Sequence, residues 1–504
     1  MTHQPGSQPH DLTDSSALTD IAQRDSHHLR PGTLGVLGVV FFVVSAAAPL
    51  TAMAGGAPVA MLLGNGPGVP AAYVVVSAIL LLFAVGYTAM ARHHTSAGAF
   101  YSFVASGIDR RTGGAAALIA LLGYNAMQIG LYGLFGAAAA AFGTDHLDTT
   151  LPWYVYTLLA LAVIAFLGYR QVDLSVKVLA VLVSLEFLIV VALDLAILIK
   201  GGSGGGTSIN LTPFSWSSFT TGSLAIGLLF NFASFIGFEA TTIYGEEARD
   251  PRRTVPRATY LAVIAIGVFY TITTWLMVNG QGAAGLQAAI GGLKPDPTAF
   301  LFTLGDVYLG STVTTVMSLL FVSSVFAALL AFHNAVARYL FALGREGLVP
   351  ARLGRTHAIH LSPHAGSLSQ SALALVVVLT FALADQDPVL ALFTWLTQLG
   401  TLAIIVLMAL ASFAVVAFFA TRPELDRDLW RTRVAPALGG VAMAVVAGYA
   451  ASQFGLLIGD PDSALSWELP GLIPVAAVAG WIAAHRLRAR SPELYTRMGR
   501  HRDA

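Results

Sequence analysis

The chain has 504 residues, of which 56% are hydrophobic and only 11% charged, with a mean hydropathy of +0.72 and a formal net charge of zero. Soluble domains carry about 25% charged residues, so the composition places this chain in a bilayer. Neutrality gives no reason to expect a nucleic-acid partner, and the absence of Cys excludes disulfides and thiolate metal sites.

Residues 1–32 are polar, rich in Ser, Asp, His and Gln, and are expected to form a disordered cytoplasmic tail. They lack the basic start and short apolar core of a cleavable signal peptide, so the first apolar segment is expected to act as its own insertion signal. A helix needs about 20 apolar residues to cross the hydrocarbon. Twelve stretches qualify: 33–63, 70–91, 113–141, 151–169, 174–199, 220–246, 256–280, 309–343, 366–385, 388–420, 433–457 and 469–486. Arg and Lys concentrate in cytoplasmic loops. With both termini inside, 25 of the 27 basic residues fall on that side, leaving only Lys200 and Lys294 outside, where Asp145, Asp148, Asp296, Asp385, Asp387, Asp460, Asp462 and Glu468 also lie. The pattern predicts an all-α integral membrane protein with twelve transmembrane helices.

Two of these spans are interrupted. The first carries Pro49, which removes a backbone hydrogen bond and clashes with the preceding turn, and then Gly55-Gly56-Ala57-Pro58. The sixth carries Ser234 and Gly237 near its centre, with Glu239 directly after. Glycine weakens helix continuity, and a carboxylate at membrane depth normally faces protein or a water-filled cavity. The interrupted spans lie five helices apart and, by the charge rule, run in opposite directions. Broken helices at matching positions of two inverted five-helix halves point to a transporter binding site. The domains expected are 33–200 (first repeat, spans 1–5), an outer loop over 201–219, 220–420 (second repeat, spans 6–10), 421–486 (spans 11 and 12) and a cytoplasmic tail over 487–504.

With those residues in view, the chain resembles bacterial permeases of the amino acid–polyamine–organocation superfamily. The resemblance covers roughly residues 34–420 and rests on four stretches: Ala46-Ala47-Ala48-Pro49-Leu50-Thr51, Gly64-Asn65-Gly66-Pro67-Gly68, Gly237-Phe238-Glu239 continuing to Glu246-Glu247-Ala248-Arg249-Asp250-Pro251 and Val255-Pro256-Arg257-Ala258, and Phe332-His333-Asn334-Ala335-Val336-Ala337-Arg338-Tyr339 leading into Ala342-Leu343-Gly344-Arg345-Glu346-Gly347. It implies a five-plus-five inverted-repeat fold, alternating access, and uptake of an amino acid or related amine.

An amino acid presents a carboxylate and an ammonium group. The carboxylate suits backbone N–H groups at a half-helix N-terminus, expected here over Thr51 to Gly56, with Ala48, Pro49, Ala54, Gly55 and Gly56 letting the ligand approach the backbone. The ammonium would meet carbonyls freed between Ser234, Phe235, Ile236 and Gly237. The alternative is that these small residues only allow close helix packing. Phe235 and Phe238 are the gate candidates, Phe235 first because it sits inside the break; the alternative for each ring is packing or contact with lipid. Tyr124, Gln128 and Tyr132 recur every fourth residue and share a face, which lines the cavity, making Gln128 a substrate ligand, or forms interhelical hydrogen bonds. Trp395, Thr397, Gln398 and Thr401 of the tenth span make a weaker version of that case.

Glu186, Asp194 and Glu239 are the intramembrane acids. Glu239, where the family keeps an acid, is expected to organise the break. Proton-coupled relatives often place a lysine on the fifth span; here that position is Ser184, which leaves Glu186 as the proton carrier, since a buried carboxyl can take up a proton, or as a structural anchor. Asp194 is expected at the interface. Ser323 and Ser324 could offer hydroxyls to a sodium ion or simply serve helix contacts, and His333 is a further coupling candidate because an imidazole titrates near neutral pH, with packing against Asn334 as the alternative. Glu246, Glu247, Arg249, Arg252, Arg253, Arg338 and Arg345 are expected either to form inner-gate pairs or to fix topology. No cofactor or resident metal is expected, and H+ or Na+ is the coupling ion. His and Glu are too scattered for a membrane enzyme, and no Gly-x-x-x-x-Gly-Lys-Ser/Thr loop supports a primary pump. An amino acid/amine exchanger and a transporter-like nutrient sensor are the alternatives to an importer.

Overall fold

Backbone polar groups inside a bilayer must be satisfied within the chain, and helices do this segment by segment. The computed structural model describes residues 35–46, 48–93, 99–170, 176–203, 205, 207–239, 241, 250–357 and 362–499, and these fold as helices with short connections. The tail over 1–32 and the gate partners Glu246, Glu247 and Arg249 lie outside the described residues. In chain order the helices used below are α1 (Val36–Ala46), α2 (Ala57–Leu63, preceded by a π-helical Thr51–Gly56), α3 (Val69–Ala91), α4 (Ala99–Gly107), α5 (Arg110–Leu147), α6 (Trp153–Tyr169), α7 (Val176–Lys200) and α8 (Leu224–Ala233). They continue with α9 (Pro251–Gln281), α10 (Ala299–Tyr308), α11 (Ser311–Glu346), α12 (His364–Leu383), α13 (Thr394–Thr421), α14 (Ala435–Ser452), α15 (Leu465–Arg490) and α16 (Pro492–Arg497).

Nine helices among the described residues are long and apolar enough to cross a bilayer. Three further spans are shorter or broken: α1 with α2, α6, and α8 with the turns that follow it. Together they make the twelve spans that the hydrophobic pattern predicts.

The packing repeats itself with inverted order. The first span (α1) lies on the seventh (α9), as the sixth (α8) lies on the second (α3). The third (α5) packs on the fourth (α6) and tenth (α13), as the eighth (α11) packs on the ninth (α12) and fifth (α7). The equivalent pairs α3–α9 and α5–α11 are themselves in contact. Small residues set the closest approach, as is common between membrane helices. A Cβ on Gly130 of α5 would sit 2.9 Å from the Thr397 backbone nitrogen of α13, and one on Gly400 would sit 2.7 Å from the Gly123 carbonyl oxygen. These two helices are accordingly the molecule's interior, 78% and 72% buried over their apolar windows, whereas α15 is 17% buried over its own.

The α5 helix starts where Asp109 caps it. The carboxylate accepts from the Arg111 and Thr112 backbone N–H groups at 2.7 and 3.1 Å, satisfying donors that have no partner inside the first turn. After α15 comes the short helix α16, and Met498 beyond it is buried.

Candidate functional site

The first span breaks at Ala48, which takes a left-handed φ of +43°. A residue before proline is pushed out of the α region, while proline itself fits the first turn of a new helix, so the helix stops and restarts at Pro49. The restart leaves the Leu50 N–H without a partner in its own turn. It donates to Glu186 Oε2 of α7 at 3.3 Å. The same oxygen accepts from Ser324 Oγ of α11 at 2.8 Å, and Ser324 Oγ lies 2.9 Å from Thr51 Oγ1. Since the Ser324 proton is given to Glu186, Thr51 must donate to Ser324. All three side chains are less than 9% exposed, so one hydrogen-bonded chain joins the first-span break to the fifth and eighth spans.

Ser323 does not join Ser324: its hydroxyl donates to the Leu320 carbonyl of its own helix, because adjacent residues on a helix point about 100° apart. Within the stretch Thr51 to Gly56, the Ala52 N–H is taken by the Ala48 carbonyl, and just beyond it the Ala57 N–H bonds the Ala52 carbonyl. What this stretch does offer is room. A Cβ on Gly56 would meet nothing within 4 Å, whereas one on Gly55 would press into Leu134 of α5 at 2.7 Å.

The sixth span unwinds after Ala233 into turns that run to Glu239. Gly237 has a φ of +115°, a conformation open in practice only to glycine. Its N–H donates to Glu239 Oε2 at 2.8 Å. Through the turns, the Phe235 N–H bonds the Phe232 carbonyl at 3.0 Å, Ile236 N–H that of Ala233 at 3.2 Å and Phe238 N–H that of Phe235 at 3.1 Å. The other Glu239 oxygen, Oε1, accepts from Tyr124 Oη of α5 at 2.8 Å, and Tyr87 of α3 donates to the Glu239 carbonyl. Glu239 thus ties the break to α5 while bracing it from within.

Both aromatic rings at the break are packed inside the protein. Phe235 is 1% exposed, with its ring 6.3 Å from Tyr73 of α3 and 6.2 Å from Tyr270 of α9. Phe238 meets Phe83 of α3 edge-on at 6.0 Å. Both rings fill the space behind the break, and Ser234 turns the same way, bonding Tyr73 Oη at 2.8 Å. The aromatic side chain that spans from α5 to the sixth span is Tyr124.

Gln128 and His333 meet in the interior. Gln128 is fully buried and its side-chain oxygen accepts from Gln370 of α12, while its nitrogen lies 3.3 Å from His333 Nδ1. His333 Nε2 lies 2.8 Å from Ser367 Oγ, and Gly168 of α6 admits the imidazole, since a Cβ there would lie 2.5 Å from Nε2. This amide–imidazole network joins α5, α11 and α12, which is the interhelical alternative for Gln128. His333→Ala is therefore expected to lower stability by about 1–3 kcal/mol through the orphaned Gln128 and Ser367 groups, read as a lower midpoint of thermal unfolding in detergent, while the pH profile of transport stays that of the parent.

Asp194 is buried within the protein. It is 7% exposed and accepts from Thr273 Oγ1 of α9 at 2.7 Å. Sequence reasoning gave no individual role to Tyr73, Tyr87 or Tyr339. Only their buried partners mark them out.

Comparison with known proteins fits this architecture. The family model described as amino acid permease matches residues 34–479. The low-affinity putrescine importer PlaP of Escherichia coli K12 is 23% identical over 323 residues, 62% of this chain and 67% of the relative. The branched-chain amino acid permease BcaP of Bacillus subtilis is 23% identical over 436 residues, 82% and 83% of the two chains. The crystal structure of a manganese transporter mutant from Eremococcus coleocola superposes with a TM-score of 0.54 at 12% identity, covering 93% of this chain and 97% of that one. At that identity the likeness shows the fold.

Proposed function

Because the chain belongs to the amino acid permease family and is a multi-pass membrane transporter rather than an enzyme, we propose that it imports an amino acid or related amine across the bacterial cytoplasmic membrane by alternating access, coupled to an ion at Glu186. In this reading the halves 33–200 and 220–420 are the inverted repeats, 421–486 lies outside them, and both termini are cytoplasmic. Substrate sits between the two breaks. Ala48, Pro49, Thr51, Ala54, Gly55 and Gly56 line one side, and the carbonyls of Ser234 to Gly237 receive the ammonium group on the other.

The observation that carries the coupling is the Thr51–Ser324–Glu186–Leu50 chain. Rocking of a broken helix against its partner repeat would pull Leu50 and Thr51 away from Glu186 and Ser324. A carboxylate and two hydroxyls released in this way can take a proton or offer oxygen ligands to Na+, so ion uptake and helix movement are linked at one place. On the arginine-rich face the same motion would part Tyr124 from Glu239, which makes that pair the inner gate.

A cationic amine is the second reading of the substrate, favoured by a cavity of about 300 Å³ between α5, α10 and α11. Asp145, Asp296 and Asp306 line it beside Phe142 and Phe302, and carboxylates in a cleft raise the local concentration of cations.

Uptake of labelled amino acids and amines into proteoliposomes tests these readings under a proton gradient, a sodium gradient, both or neither. Accumulation above equilibrium with either gradient is the expected result. Uptake that appears only against internal substrate makes the protein an exchanger, and uptake of none of the panel overturns the substrate class.

A further inference from the structure

The last described segment of the chain has no part in the transport cycle above, yet it is firmly attached. After α15 the chain turns back as α16, and Met498 is 2% exposed. Gly499 follows with a left-handed φ of +72°, and a Cβ there would meet Ala105 of α4 at 3.1 Å. The Gly499 N–H donates to Glu346 Oε1, at the end of α11, over 3.4 Å. Arg110, the first residue of α5, donates to the Thr496 carbonyl at 3.1 Å and places its guanidinium 5.7 Å from the Tyr495 ring centroid, within cation–π range. The segment is thus pinned to α4, α5 and α11 together.

The contacts continue inwards. Glu346 Oε1 also accepts from Tyr101 Oη of α4 at 2.8 Å. Burial, and then the negative charge of Glu346, push the Tyr101 phenol well above its ordinary value, so it remains an O–H donor at physiological pH. The Tyr101 ring meets Tyr339 of α11 edge-on at 5.8 Å, and Tyr339 meets Tyr124 at 6.3 Å. Tyr124 then holds Glu239, whose other oxygen holds Gly237. One column of contacts therefore runs from Gly499 to the break of the sixth span.

We propose that the C-terminal segment 492–499 is a positioning element of the inner gate: by holding Glu346 and Tyr101 it keeps Tyr339 behind Tyr124, and so keeps Tyr124 on Glu239. The proposal rests on the reading of Tyr124 and Glu239 as that gate. A tail that merely covered apolar surface would stabilise the fold without altering access to the pathway.

The chain has no Cys, so a single Ala120→Cys substitution gives a clean probe. Ala120 is 2% exposed and lies one turn from Tyr124 on the same face of α5. The full-length protein carrying this probe is labelled with a membrane-impermeant maleimide from the arginine-rich face, with no substrate present. Tyr124→Phe should raise the labelling rate by reporting the opened gate. Met498→Glu and Arg110→Ala should each raise it at least about five-fold, the low end of coupling between linked sites, and Met498→Leu should leave it unchanged. In the Tyr124→Phe background Met498→Glu should add nothing further, because both act on the same bond. If Tyr124→Phe opens the site but Met498→Glu and a chain ending at Arg490 do not, the tail has no part in gating and the gate reading survives. Equal, additive effects of Met498→Glu and Tyr124→Phe would also overturn the proposal. No response to Tyr124→Phe would sink the gate reading and the proposal with it.

Discussion

Glu186→Gln is expected to abolish uphill accumulation of substrate while leaving the protein folded and able to exchange substrate down its gradient. The reason lies in which atom makes the bonds. A single oxygen, Oε2, accepts from both the Leu50 N–H and Ser324 Oγ, and the carbonyl oxygen of a glutamine can occupy that position and accept both. The amide therefore preserves the geometry and removes only the ability to carry a charge or bind and release a proton. Accumulation should fall at least about tenfold, equivalent to about 1.4 kcal/mol of lost driving force, and the dependence of uptake on external pH should flatten if the coupled ion is H+. Glu186→Ala separates structure from chemistry. It leaves the Leu50 N–H and Ser324 hydroxyl buried without their acceptor, at a cost of about 1–3 kcal/mol for each orphaned group, so exchange should fall as well. A glutamine variant that concentrates substrate with the parent's pH dependence would show that Glu186 does not couple.

Glu239 makes the second strong prediction, in which alanine and glutamine should again differ, this time because of the donors. Glu239 receives the Gly237 N–H on one oxygen and the Tyr124 hydroxyl on the other. The backbone N–H can only donate, whereas a tyrosine hydroxyl can also accept. A glutamine can therefore turn its oxygen to Gly237 and its NH2 to Tyr124 and keep both contacts. Glu239→Ala keeps neither, orphaning the part-buried N–H of Gly237, itself already held at a φ of +115°. Alanine is expected to lower transport at least about tenfold, following the loss of about 1–3 kcal/mol per buried group, and glutamine less than alanine. Substrate exchange rates in proteoliposomes, with unfolding midpoints measured alongside, check this. Equal damage from both substitutions would mean that the carboxylate charge, and not its two acceptor positions, is what the break requires.

Most of the architecture was legible in the residues because its causes are local. Apolar length decides whether a helix can cross the hydrocarbon, and the distribution of Arg and Lys against Asp predicts which ends belong together. The first-span break could be read from Pro49 and the sixth-span break from Gly237 next to Glu239, because proline and glycine act on their own backbone.

What tertiary structure decided is which way each side chain faces. Phe235 beside an unwound helix reads as a gate or, more commonly for a Phe in a membrane helix, as filling; in the structure its ring lies against those of Tyr73 and Tyr270 on two other helices. A polar face on α5 reads equally well as cavity lining or interhelical contact, and His333 and Gln370, more than 200 residues away, make Gln128 the latter. Glu186 gained its partners in the same way, since nothing near it in sequence predicts Leu50 or Ser324. The sequence by itself determined how many times this chain crosses the membrane and where two of its helices break, because hydrophobic length and backbone conformation are properties of a segment. Only the packed structure determined that the breaks are tied to Glu186 and Tyr124, because helix rotation and hydrogen-bond partners are fixed by neighbours distant in the chain.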